Sequence, residues 1–202
     1  MTELGIIEGY YGTPWSWQDR RDQVAALSPH GYKFYMYAPK ADPYLRRAWQ
    51  QEHPAEMGAE LMGLADACGE HGVRFGVGLS PFELYRDFNA DAQEALARKL
   101  AFFDVIGVQD LGILFDDMRG DLPDLAATQV QILHWIAQRT TATRIVACPT
   151  YYSDDPASTA PSGRGRPTTS KRSGVCWTPP SRSSGPARRS VRGSSPQATW
   201  RA

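Results

Sequence analysis

Between residues 4 and 147, short apolar runs alternate with longer amphipathic ones about five times, and this alternation restricts the possible folds more than any other feature of the chain. Leu4 to Glu8, the aromatic-rich Tyr32 to Tyr37, Val73 to Leu79, Gly112 to Phe115 and Arg144 to Ala147 suit strands. The stretches between them carry helical spacing. Ser16, with Asp19 behind it, caps a helix through about Ser28. Pro54 to Glu70 repeats Met57, Leu61, Leu64 and Cys68, while Asp91 to Ile106 sets Ala95, Leu96, Leu100 and Phe103 on one side. Leu125 to Arg139 supplies another helix. Strands separated by helices run parallel, joined by right-handed crossovers. The fold class is therefore α/β, as a TIM-barrel type (β/α)8 or a doubly wound sheet.

The residues that follow each strand separate these two. Glu8 to Gly12 follow the first strand, Ala38-Pro39-Lys40 the second, Ser80-Pro81 the third, Asp116-Asp117 the fourth, and Pro149-Thr150-Tyr151-Tyr152 the fifth. In a barrel all these ends ring one mouth, whereas a doubly wound sheet gathers its chemistry at one switch point. Special residues spread over five successive strands favour the barrel. A whole barrel takes roughly 250 residues and eight strands, so the pattern predicts an incomplete one with about five units.

Composition matters at the point where the alternation stops. From Pro156 to Ala202 there is no Leu, Ile, Phe, Met or Tyr and no acidic residue, and nine of the 22 basic side chains lie there. The formal charge of zero thus divides into a balance of −9 over residues 1 to 155 and +9 beyond. So few apolar groups cannot offset the entropy of ordering, and a disordered basic tail is one expectation. The domains read as residues 1-153, the N-terminal part of a barrel, and 154-202, a low-complexity tail. Codons for Arg166 to Gly193 can be chosen so that the same bases, read from the last base of the first codon, spell PDYLEALGGLLDPAVQVFWTGPAVCSR. That string is an amphipathic helix followed by a strand, as a sixth unit requires. A frameshifted tail is the hypothesis, and sequencing of the coding DNA tests it.

Other classes are disfavoured. Cys68, Cys148 and Cys176 are too few and too scattered for a disulfide framework or a metal cluster. The start has no basic-then-apolar leader, and no segment reaches the roughly 18 apolar residues of a membrane span, so a cytoplasmic protein without membrane contact is expected. The basic tail has only Trp177 and Trp200 as aromatics and no recognisable module, so nucleic acid is not expected as a partner. His30, His53, His71 and His134 have no metal-ligand spacing, and Trp15 and Trp49 read as packing residues.

The pair Asp116-Asp117 is where chemistry concentrates. Two neighbouring carboxylates repel, and an unpaired one is costly to bury. They cap a helix, hold a hard cation with further oxygen ligands, or divide acid and base work in glycoside hydrolysis. Adjacent residues on one strand do not readily give the separation of about 5 Å that ordinary retaining glycosidases need. They suit a scheme in which the substrate brings its own nucleophile.

In order, "GIIEGYYGTPWSW", "YMYAPKADPYLRRAWQ", "ILFDDM" and "CPTYY" resemble glycoside hydrolase family 84, the O-GlcNAcase-like β-N-acetylglucosaminidases, over roughly residues 4 to 153. The out-of-frame "VFWTGP" resembles the family's next strand. The resemblance implies a (β/α)8 catalytic barrel and substrate-assisted retaining hydrolysis through an oxazoline, with no cofactor and no metal. By the same resemblance Asp116 orients the 2-acetamido group and Asp117 is the acid/base. Gly9 lets backbone approach the sugar, Tyr11 walls the site, Lys40 binds a sugar hydroxyl and Tyr152 lies by the acetamido pocket. The implied substrate is an N-acetylglucosamine-containing glycoside or glycoprotein. Thr13 stands where the family commonly has arginine and Ala41 where aspartate is common, and the sugar-binding residues of later strands have no counterpart. An inactive remnant, at most a weak sugar-binding fragment, is the alternative expectation.

Overall fold

The computed structural model describes residues 3–116 and 118–151. The tail expected at 154-202, together with Asp117 and Tyr152, lies outside the described residues.

Five parallel strands form one sheet in the order β1-β2-β3-β4-β5: β1 (Leu4–Glu8), β2 (Tyr32–Tyr37), β3 (Arg74–Leu79), β4 (Asp110–Leu114) and β5 (Arg144–Cys148). Four helices connect them: α1 (Trp17–Leu27), α2 (Ala55–Glu70), α3 (Ala90–Ile106) and α4 (Leu125–Ala137). Ser16 caps α1 in a capping box with Asp19, and Asn89 caps α3 by accepting from the Ala92 N–H at 2.9 Å. Gly107, at φ 84°, ends α3 in the left-handed conformation that glycine adopts without a Cβ penalty. The helix faces expected from spacing are the buried ones: Leu61, Leu64 and Cys68 on α2, and Ala95, Leu96, Leu100 and Phe103 on α3. Met57 is only partly buried against them.

The sheet curls. In a flat sheet β1 and β5 would lie roughly 19 Å apart, four spacings of about 4.8 Å. Yet Glu3, just before β1, accepts from Arg74 of β3 at 2.8 Å and also from Arg144 of β5. The described residues thus form an incomplete (β/α)8 barrel of five strands. Its open rim leaves Leu4 54 % and Ile7 56 % exposed, although both sit in a strand.

Alternation along each strand sets two faces. Tyr35, Tyr37 and Glu8 meet the helix layer, and Phe34, Met36, Ala38, Gly78, Gly112 and Leu114 meet the barrel interior. A Cβ added to Gly78 would stand 2.6 Å from the Ala38 Cβ and 3.0 Å from Leu114 Cδ1. Glycine at that place lets β2 and β4 side chains close over β3, and so brings the residues two positions further along both strands within reach of each other.

The elements depart from expectation in two main respects. β4 begins two residues before Gly112, because the Asp110 carboxylate is buried against the Arg74 guanidinium at 3.1 Å. Short helical turns at Ser28–His30, Pro43–Leu45 and Leu84–Arg86 were not anticipated.

Candidate active site

At the C-terminal ends of β2 and β4, the interior face continues from Ala38 to Lys40 and from Leu114 to Asp116. The Lys40 ammonium meets Asp116 Oδ2 at 2.7 Å, with 7 % and 19 % of the two side chains exposed. Asp116 Oδ1 is buried and has no hydrogen-bond partner among the described residues. A carboxylate oxygen accepts readily, and leaving it buried without a donor is costly. This half of the group lacks the donor that its burial calls for.

The loop carrying Asp116 is held on both sides. The Phe115 N–H donates to the Cys148 carbonyl at 2.8 Å, and the Phe115 carbonyl accepts from Thr150 Oγ1 at 2.8 Å. Gln129 on α4 donates to that threonine at 2.7 Å. Tyr85 donates its hydroxyl to the Arg119 carbonyl at 2.8 Å, burial pushing its pKa above the usual phenol value. The Tyr151 ring fills the place that a side chain on Gly120 would take. Asp121 pairs with Arg119 in solvent and Asp124 stands at the start of α4 with φ 56°, so neither joins Asp116.

The β1 loop comes to the same place through Lys40, whose N–H donates to the Tyr10 carbonyl at 3.4 Å. Tyr11 is 66 % exposed, and its ring centroid lies 5.9 Å from the Lys40 ammonium and 5.6 Å from the Arg46 guanidinium. Gly9 follows the interior-facing Ile7, and a Cβ built there would meet only Ile7 Cγ2, at 3.7 Å. The structure thus gathers Tyr11, Lys40 and Asp116 and sets Gly9 two residues from Tyr11, while Asp117 and Tyr152 are outside the described residues.

Sequence reasoning set Glu8 among the strand-end residues, but its side chain turns toward α1. Arg20 binds it at 2.7 and 2.9 Å and the Tyr35 hydroxyl at 2.7 Å, all of them buried. Trp49 packs as expected, its indole N–H donating to the Phe82 carbonyl at 3.2 Å. Two groups near the site escaped the sequence: the buried Tyr10 hydroxyl, with no partner among the described residues, and the buried Asp42. Among the described residues no group of three or more His, Cys, Asp and Glu side chains gathers as a metal site.

The arrangement presents a cation-backed carboxylate with one open acceptor, an exposed aromatic wall and a side-chain-free strand end. These suit a polar, ring-bearing ligand with an N–H to donate. Comparison with known proteins points the same way. A family model described as beta-N-acetylglucosaminidase matches residues 4–182. Protein O-GlcNAcase of Rattus norvegicus is 32% identical over 114 residues, which are 56% of this chain and 12% of that protein, and the Mus musculus protein matches equally. A solved O-GlcNAc hydrolase mutant from Thermobaculum terrenum superposes with a TM-score of 0.70 at 32% identity, over 76% of this chain and 36% of that one. The chain thus spans about an eighth of the length of these curated relatives.

Proposed function

The chain belongs to the β-N-acetylglucosaminidase family, and from that premise we propose that its strand-end residues serve the hydrolysis of terminal β-linked N-acetylglucosamine by substrate-assisted retention. The buried, unpartnered Asp116 Oδ1 is the observation that carries this proposal. It accepts the N–H of the 2-acetamido group, which turns the acetamido carbonyl oxygen toward the anomeric carbon. That oxygen attacks, the glycosidic bond breaks, and the leaving oxygen takes a proton from Asp117. The oxazolinium that forms carries positive charge beside Asp116, which stabilises it electrostatically. Asp117 then removes a proton from water, which opens the oxazoline at the anomeric carbon and returns the β configuration.

Lys40 holds Asp116 ionised through one oxygen and supplies an N–H to a sugar hydroxyl; an ammonium carries three donors. Tyr11 forms a wall, the absent side chain at Gly9 leaves room for the sugar, and the family resemblance assigns Tyr152 to the acetamido pocket. A sugar-terminated glycoprotein or oligosaccharide is the substrate class. Among the described residues no helix is long and apolar enough to cross a membrane, and we place the protein in the cytoplasm. Hydrolysis of a fluorogenic β-N-acetylglucosaminide by the full chain, abolished in Asp117→Asn and in Asp116→Asn, supports the proposal. Turnover unchanged by either substitution overturns it.

The open rim favours a second reading. With Leu4 and Ile7 exposed and five strands among the described residues, a sugar-binding remnant without turnover is the alternative. Saturable binding of N-acetylglucosamine with no product formed would select it.

A further inference from the structure

We infer that Asp42 is a positioning residue for Lys40, held in place by a buried chain of polar groups that runs from Tyr37 through Asp42 and His53 to Lys99. The inference rests on the proposed site for its functional meaning, while its geometry stands alone.

Asp42 joins two turns. Its N–H donates to the Pro39 carbonyl at 3.0 Å, closing the turn that contains Lys40. Its Oδ1 accepts from the Tyr44 N–H at 2.8 Å, capping the helical turn Pro43–Leu45. The Arg46 guanidinium from beyond that turn reaches back to the Lys40 carbonyl at 3.5 Å. A short polar side chain capping a turn is ordinary. What surrounds the other oxygen is not.

Asp42 Oδ2 accepts from the Tyr37 hydroxyl at 3.1 Å and faces His53 Nε2 at 3.5 Å, with 1 % of the carboxylate side chain and none of the imidazole exposed. His53 Nδ1 lies 3.3 Å from Lys99 Nζ, which also donates to the Gln51 carbonyl at 2.6 Å. An ammonium has only donors, so Nδ1 is the accepting nitrogen and Nε2 carries the hydrogen; Nε2 makes no hydrogen bond and stands 3.5 Å from Asp42 Oδ2 as an electrostatic contact. Phe102 stacks on the imidazole at 5.1 Å and Tyr44 tilts against it at 5.3 Å. Glu52 is the remaining charge felt by Lys99.

A turn cap alone needs none of this. Burying a lysine, a histidine and an aspartate together is unfavourable unless each fixes the next. The chain passes through Asp42, two residues from Lys40, whose ammonium must stay on Asp116 for that carboxylate to be paired on one oxygen and unpartnered on the other.

Site-resolved lysine labelling of the full chain by an acylating reagent, read by mass spectrometry, tests this without any turnover. A glycosidase assay that fails therefore leaves it untouched. Exposed Lys33 serves as the rate reference, and alkylation of the Cys68 thiol, fully buried and outside this chain of groups, reports global loosening. Asp42→Asn keeps an oxygen for the Tyr44 N–H but loses the charge, and Tyr37→Phe removes one hydroxyl. In both, Lys40 should label roughly tenfold faster relative to Lys33, since labelling follows the locally open population, with Cys68 still protected. Lys40 unchanged in the folded variants overturns the inference. So does a parallel rise at Cys68, which would make Asp42 a general structural residue.

Discussion

Replacing Lys99 by methionine should flatten a specific part of the stability profile against pH. Burial pushes the Lys99 ammonium down from 10.5 to about 8, against the opposing pull of Asp42 and Glu52. The residue is 3 % exposed, so solvent screens little of this. Because the folded pKa lies below the unfolded one, the unfolded chain binds more protons between pH 8 and pH 10.5. Stability contributed by this group therefore rises with pH through that window and is flat below it. The shift corresponds to about 3 kcal/mol as an upper bound, at about 1.36 kcal/mol per pKa unit. Methionine keeps the length and removes the titration. It also strips the Gln51 carbonyl and His53 Nδ1 of a donor, which lowers stability by about 1–3 kcal/mol at neutral pH without adding a slope in the window. Urea unfolding of both proteins at intervals from pH 7 to 10.5, followed by far-UV circular dichroism, gives the difference curve. Cys68, pushed up to about 12 by burial, and the buried Tyr35 and Tyr37, also pushed up by burial, titrate alike in both proteins and cancel. The wild type should gain on the variant as pH rises above 8. Parallel curves would refute the buried ammonium and the chain of contacts drawn from it.

Two further perturbations test the frame of the site. Glu8→Gln leaves the Arg20 guanidinium buried without its counter-charge and should cost about 3–5 kcal/mol in urea unfolding; a loss under about 1 kcal/mol would mean that water reaches the pair. Gly78→Ala drives a methyl into Ala38 and Leu114 and should cost about 1–3 kcal/mol. It should also speed labelling of Lys40 by separating it from Asp116, and unchanged stability with unchanged labelling would remove Gly78 from the account.

The strand and helix pattern was legible because alternation and spacing are local. Ser16 with Asp19 marks α1 and the apolar stripes of α2 and α3 mark their buried sides. Asp110 was hidden because its partner Arg74 lies on another strand, so a polar pair before Gly112 looked like loop. Glu8 was placed with the mouth residues since its counter-ion sits 12 positions away, yet it falls two residues after Ile6, on the helix side. Lys99 carried a signal that went unused: it is three after Leu96 and four before Phe103, on the stripe that faces the core. At the site, motif order identified Lys40 and Asp116, but only the fold shows that they pair across β3 and that one carboxylate oxygen is left open.

Whether the acetamido oxygen is the nucleophile can be measured by turnover of aryl β-glucosaminides whose N-acetyl group carries zero to three fluorines. Each fluorine weakens the attacking oxygen, so the full chain should hydrolyse the parent and slow steeply along the series. Rates that ignore the fluorines, or an inert parent compound, would contradict the role given to Asp116.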